Sequence, residues 1–157
     1  MYSVKEKSII LDSLDNVIGA GLMDSEYFVF KASLSISTST TINCIIPVPN
    51  LERSEAYTII SDGGTGYYAT GFIKSNNNVE TGMLFTHYSS TLTPNWEIAP
   101  FGLTSFTDKI EYLSLSSGYL WGCGKCDKCS DSDNNAVFTR LTAVGSTLPA
   151  STDLESM

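Results

Sequence analysis

Tyr27-Phe28-Val29-Phe30-Lys31-Ala32-Ser33-Leu34-Ser35-Ile36-Ser37 decides the fold class. Phe28, Phe30, Ala32, Leu34 and Ile36 alternate with Val29, Lys31, Ser33, Ser35 and Ser37. A period of two puts one set of side chains on a buried face and the other on a wet one, as in a half-buried β-strand. Shorter segments of the same kind follow at close intervals, over residues 41–46, 57–60, 67–73, 79–86, 95–98, 109–115, 119–122 and 136–142. The breaks between them are turn chemistry. Pro47 and Pro49 stop one segment, Asp62-Gly63-Gly64-Thr65-Gly66 follows another, and Ser75-Asn76-Asn77-Asn78 a third; glycine supplies positive φ, and asparagine hydrogen-bonds its own backbone. Strands punctuated every 8–12 residues or so predict an all-β protein of β-sandwich or jelly-roll type.

On either side of that body the pattern weakens. In residues 1–26, Ile10, Leu14, Val17 and Ile18 sit at helical spacing, while Gly19, Gly21, Asp12 and Asp15 interrupt it. A short helix, a strand pair or an extended arm are all compatible with this segment. The expected organisation is an irregular or short helical N-terminal arm over 1–26, a β domain over 27–144 and a solvated tail over 145–157. No repeat of 20–50 residues is evident, so neither propeller nor solenoid is expected.

The chain has 157 residues, enough for one domain with a sizeable core. Its net charge is −8, with only nine Lys and Arg, and these form no cluster. Nucleic acid and anionic membrane surfaces are gripped by basic side chains, so both are excluded as expected partners. No apolar run approaches the roughly 20 residues needed to span a bilayer. The opening Met1-Tyr2-Ser3-Val4-Lys5-Glu6-Lys7 also lacks the apolar core of a secretory signal. A cytoplasmic site of synthesis and assembly is the expectation.

Candidate chemistry concentrates in two places. Cys123, Cys126 and Cys129 form two overlapping Cys-x-x-Cys steps around Gly122 and Gly124. Thiolates at this spacing can share a structural Zn²⁺, with Cys44 as a fourth ligand from a neighbouring strand. A disulfide among them, or free thiols in a loop, are the other readings. The sole histidine, His87, ends a predicted strand, and a small hydrolase would have to be centred on it. No Gly-x-Ser-x-Gly elbow accompanies it. Asp131, Asp133 and Asn135 alternate as calcium ligands do, but Ala136 and Thr142 stand where that loop needs Gly and Glu. Trp96, Trp121, Tyr67 and Tyr68 are candidates for stacking on a glycan, against the alternative that they fill the core. Tyr67 and Tyr68 are adjacent, so one is expected to face outward if the other faces inward.

Ile110-Glu-Tyr-Leu-Ser-Leu-Ser-Ser-Gly-Tyr-Leu-Trp-Gly-Cys-Gly-Lys125, followed by Phe138-Thr-Arg-Leu-Thr142, resembles one blade of the regulator-of-chromosome-condensation type of propeller repeat. The Leu-Trp-Gly-Cys-Gly string is also similar to strings in bacteriophage fibre and tail proteins. The likeness covers about a fifth of the chain, over 110–144. It departs from the blade pattern where Cys126-Asp127-Lys128-Cys129 replaces Gly-Gln-Leu-Gly. The resemblance implies a β-rich, non-enzymatic virion component (tail, fibre or head decoration). Its partners would be other virion proteins or copies of itself. A carbohydrate-binding β-sandwich is the alternative expectation, and a hydrolase on His87 the second.

Overall fold

The computed structural model describes residues 4–23, 26–33, 42–45, 55–74, 81–98, 109–126, 135–142 and 153–156. All secondary structure among them is β. The first sheet holds β1 (Val4–Leu11), β2 (Asn16–Met23), β3 (Glu26–Ser33) and β4 (Ile42–Ile45). The second holds β5 (Glu55–Ser61), β6 (Tyr67–Lys74), β7 (Thr81–Tyr88) and β8 (Pro94–Ile98). The third holds β9 (Lys109–Ser116), β10 (Tyr119–Cys126), β11 (Asn135–Thr142) and β12 (Asp153–Ser156). Within each sheet the strands pair antiparallel in chain order, so each is a four-stranded meander and no described strand passes between sheets.

One expectation changes here. The first segment is not helical: the strand pair β1–β2 uses Asp12 to reverse the chain. The Asp12 Oδ1 accepts the N–H groups of Leu14 and Asn16 at 2.9 Å each, and Asp15 adopts φ 59°. Its glycines are strand residues rather than helix interrupters, because the Phe30 ring lies where a Cβ on Gly19 would stand. Within the expected tail, Asp153–Ser156 pairs with β11.

The three meanders are also copies of one another. In each, the first strand carries a one-residue bulge (Lys7, Tyr57, Glu111), and the residue before the bulge faces a glycine: Glu6 opposite Gly21, Ala56 opposite Gly71, Ile110 opposite Gly124. Beyond it the pairs run Ile10–Ile18, Ile60–Tyr68 and Ser114–Trp121. A structural repeat of just over fifty residues therefore exists, although none was expected.

Face-to-face packing makes the core. Ile18, Ala20, Tyr27 and Val29 of the first sheet pack with Ala56, Ile59, Tyr67, Ala69, Leu84 and Tyr88 of the second. The opposite face of the second sheet, with Tyr68 and Phe85 buried and Ile60 and Trp96 partly so, meets Ile110, Leu120 and Leu141 of the third. Each fully buried aliphatic side chain contributes about 1.5–3 kcal/mol. The first strand of one sheet lies across the first three strands of the preceding one: β5 over β1, β2 and β3, and β9 over β5, β6 and β7. No later strand comes comparably close, so neighbouring sheets open outward. Ala56 sits on the near strand, while the farther strands fill the wider gap with Tyr27, Tyr67 and Tyr88.

The bulge glycine has a steric reason. A Cβ at Gly71 would strike the Glu55 carbonyl oxygen, which is backbone and cannot swing aside. Gly71→Ala is therefore expected to cost about 3 kcal/mol, read as a lower urea midpoint at unchanged m-value.

Candidate functional site

The repeat places a basic residue at one position of every third strand. Lys31 pairs with Ile18, His87 with Tyr68 and Arg140 with Trp121. In the first two sheets this residue turns back to the aspartate of the first hairpin. Lys31 Nζ stands 3.1 Å from Asp12 Oδ2 and donates to the Tyr67 hydroxyl at 3.2 Å and the Ser90 carbonyl at 3.2 Å. The Tyr67 hydroxyl donates to the same Asp12 oxygen at 2.9 Å, and Asn16 Nδ2 adds a bond at 2.8 Å. Burial alone would raise the Asp12 carboxyl. The bonds from Asn16, Lys31 and Tyr67 outweigh it and hold the carboxyl well below its ordinary value of 3.8.

The second sheet repeats the device with different chemistry. Asp62 Oδ1 accepts the N–H groups of Gly64 at 2.8 Å and Gly66 at 3.0 Å, while Oδ2 meets His87 Nε2 at 3.0 Å. Burial again pushes Asp62 upward, and His87 with the two backbone donors brings it below its usual range. The other ring nitrogen, Nδ1, lies 3.3 Å from Asn95 Nδ2. Tyr68 stacks on the imidazole with centroids 4.7 Å apart, and Trp96 tilts against it at 5.7 Å. Gly66 is required there, since a Cβ would crowd Asp62, His87 and the Tyr88 carbonyl.

A histidine base needs one nitrogen on an orienting group and the other on a nucleophile. In His87 the first nitrogen is on Asp62, but the second meets an amide rather than a hydroxyl or thiol. The third sheet has no aspartate at its first turn, which is a two-residue reversal through Ser117 (φ 52°) and Gly118 (φ 77°). The Arg140 guanidinium instead lies over the rings of Tyr119, at 4.9 Å, and Trp121, at 5.7 Å. Between the first two sheets a cleft of roughly 230 Å³ opens beside Asp12, Lys31, Tyr67 and Ser90. The Asp12, Lys31 and Tyr67 polar atoms are already bonded to one another.

Three of the four cysteines fall in described strands. Cys44 is on β4 of the first sheet, opposite Phe30, whereas Cys123 and Cys126 are on β10 of the third, opposite Phe138 and Asn135. β10 remains extended through Cys126 instead of looping after Gly122. Cys123 carries a free thiol. No group of three or more metal-binding side chains occurs among the described residues. Cys129, Asp131 and Asp133 lie outside them. Of the aromatic candidates, Trp121 is exposed and Trp96 packs into the core. Tyr67 and Tyr68 are both buried, contrary to the in–out alternation expected, because the second sheet is covered on both faces. Exposed Tyr112 and Tyr119 were missed as surface aromatics; Tyr119 shares a strand face with Trp121 at a spacing of two, a signal that the sequence did carry.

No protein-family model matches the chain, and no curated protein matches it either. Among the described residues no helix is long and apolar enough to cross a membrane.

A carboxyl held below its unfolded value stabilises the fold fully above about pH 4 and loses that contribution as the pH falls through the folded value. Asp12→Asn is expected to lower stability at neutral pH by about 2 kcal/mol, and to flatten the decline in acid. Urea unfolding of both proteins across that pH range checks it. His87→Gln, which keeps a donor toward Asp62, should retain more stability than His87→Ala in the same measurement.

Proposed function

We propose that this chain is a non-enzymatic assembly component of a bacteriophage particle (tail, fibre or head decoration), acting through the outer faces of its end sheets. One observation carries the reading. On each end sheet a position that the interior uses to join sheets is exposed. On the first sheet Ile9 is 54% exposed and Leu11 62%, whereas Ile59, which matches Ile9 in the repeat, is 1% exposed. On the third sheet Trp121 is 43% exposed, against 3% for its counterpart Tyr68. Apolar area of this kind marks a contact surface. The phage setting is supported by the Leu120-Trp121-Gly122-Cys123-Gly124 string, which is similar to strings in bacteriophage fibre and tail proteins. A β-sandwich-like stack with acidic, hydroxyl-rich surfaces is a suitable vehicle for such contacts.

A second reading has its own observation. Tyr119, Trp121 and Arg140 form an exposed aromatic and cationic cluster on one sheet face, and this could stack on a sugar ring. Tyr67 and Tyr68 are buried, and Trp96 is half-buried against the core.

Mass spectrometry of purified particles of the encoding phage is expected to find the chain in fixed stoichiometry with other virion proteins. Its presence only in the particle-free lysate would overturn the proposal. A glycan array separates the second reading: selective binding lost in Trp121→Ala would favour the sugar.

A further inference from the structure

The joint between the first two sheets carries the cleft beside Asp12, Lys31 and Tyr67, and three turns frame its mouth. Each turn is fixed from within. Asp12 Oδ1 accepts the N–H groups of Leu14 and Asn16 in the first, and Asp62 Oδ1 accepts those of Gly64 and Gly66 in the second. In the third, the Ser89 hydroxyl accepts the N–H groups of Thr91 at 3.3 Å and Thr93 at 3.1 Å. A mouth built this way is ordered before anything enters it, which removes one cost of binding.

The floor holds charge but has none to offer. An ammonium has three donors, and Lys31 spends them on Asp12 Oδ2, the Tyr67 hydroxyl and the Ser90 carbonyl. Both Asp12 oxygens are likewise taken, by backbone N–H groups, Asn16, Lys31 and Tyr67. An incoming carboxylate or phosphate would have to break the contacts that tie the two sheets together, and the net charge of −8 opposes it further. A cation meets the same barrier at Asp12. The groups left for a ligand are uncharged. The hydroxyls of Ser13, Thr65 and Ser90 line the cleft, and none is hydrogen-bonded to another described residue. Leu11 and Leu14 add an apolar wall, with Leu14 78% exposed.

These features describe one ligand class. Serine and threonine hydroxyls both donate and accept, as a sugar's hydroxyls do, and a leucine wall suits the C–H face of a pyranose. The volume of about 230 Å³ is below the roughly 300–1,000 Å³ of pockets for drug-sized ligands, so it has room for a single ring. Because the ion pair closes the floor, a glycan enters by its end and does not pass through. We propose that this cleft is a saccharide site that takes one neutral pyranose ring at the end of a glycan. Ser13, Thr65 and Ser90 bond its hydroxyls, and Leu14 covers its C–H face. The site does not depend on the assembly role, and it shares no residue with the Tyr119, Trp121 and Arg140 cluster of the third sheet.

Titration of the amide resonances of the full ¹⁵N-labelled chain tests this. The probes are the methyl pyranosides of glucose, galactose, mannose, N-acetylglucosamine and N-acetylgalactosamine, with glucuronic acid as the charged comparison. At least one neutral sugar is expected to saturate at millimolar concentration, moving the resonances of Ser13, Leu14, Thr65 and Ser90. Thr65→Trp and Ser13→Trp each place a ring in the cleft from an exposed turn position, and each is expected to weaken binding by about tenfold or more. Circular dichroism and thermal unfolding check the fold of both variants, and either one suffices if the other fails to fold. No saturable shift with any neutral sugar, shifts confined to other residues, unaltered binding in the tryptophan variants or a preference for glucuronic acid would overturn the proposal. Binding lost in Trp121→Ala but kept in Thr65→Trp would assign the sugar to the third sheet and overturn it as well.

Discussion

Each of the three meanders has two faces that carry apolar side chains, and a four-stranded sheet cannot bury either face by itself. Everything else in the structure follows from the way neighbouring sheets solve this for one another. The second sheet is covered on both sides, by Ile18, Tyr27 and Val29 from one direction and by Ile110, Leu120 and Leu141 from the other. Its strands consequently tolerate adjacent tyrosines, and it alone has the interior character of a sandwich on both faces. The bulge opposite Gly21, Gly71 and Gly124 belongs to the same solution, because it twists the first strand where that strand crosses its neighbour.

The electrostatic features serve the turns. In the first two sheets a carboxylate organises a reversal with one oxygen and receives a basic side chain from the third strand with the other. The cation differs, lysine in one case and histidine in the other, while the geometry stays. Where the turn shortens to Ser117-Gly118 the carboxylate is absent, and Arg140 turns to the neighbouring rings. The chain's sole histidine reads in sequence as a catalytic candidate. Its counterpart Lys31, held by Asp12 at the matching place, marks it as one version of a recurring brace.

Strand positions were legible because alternation and turn residues are local signals; the segments expected around 67–73, 95–98 and 109–115 each fall on a strand. The N-terminal hairpin was less legible, since Gly19 and Gly21 sit in strands for reasons that arise across the sheet, under the Phe30 ring and opposite a bulge. The repeat did leave a trace. Ile9-Ile10-Leu11-Asp12 and Ile59-Ile60-Ser61-Asp62 are near matches, each followed nine residues after its aspartate by Gly21 or Gly71. The remaining positions diverge because the joint requires only bulk and polarity, which Ile18, Tyr68 and Trp121 satisfy with unrelated side chains. The burial of Tyr67 and Tyr68 could not be read locally. It depends on how many sheets flank the one that bears them.

The meander connectivity also bears on how the molecule comes apart and forms. Every strand pair joins chain neighbours, so a sheet can zip from its own hairpins without waiting for distant segments, and contacts between sheets come afterwards. Protection from amide exchange would then be graded along the chain, greatest in β6 and β7, which lie in the doubly covered layer, and falling toward both terminal layers.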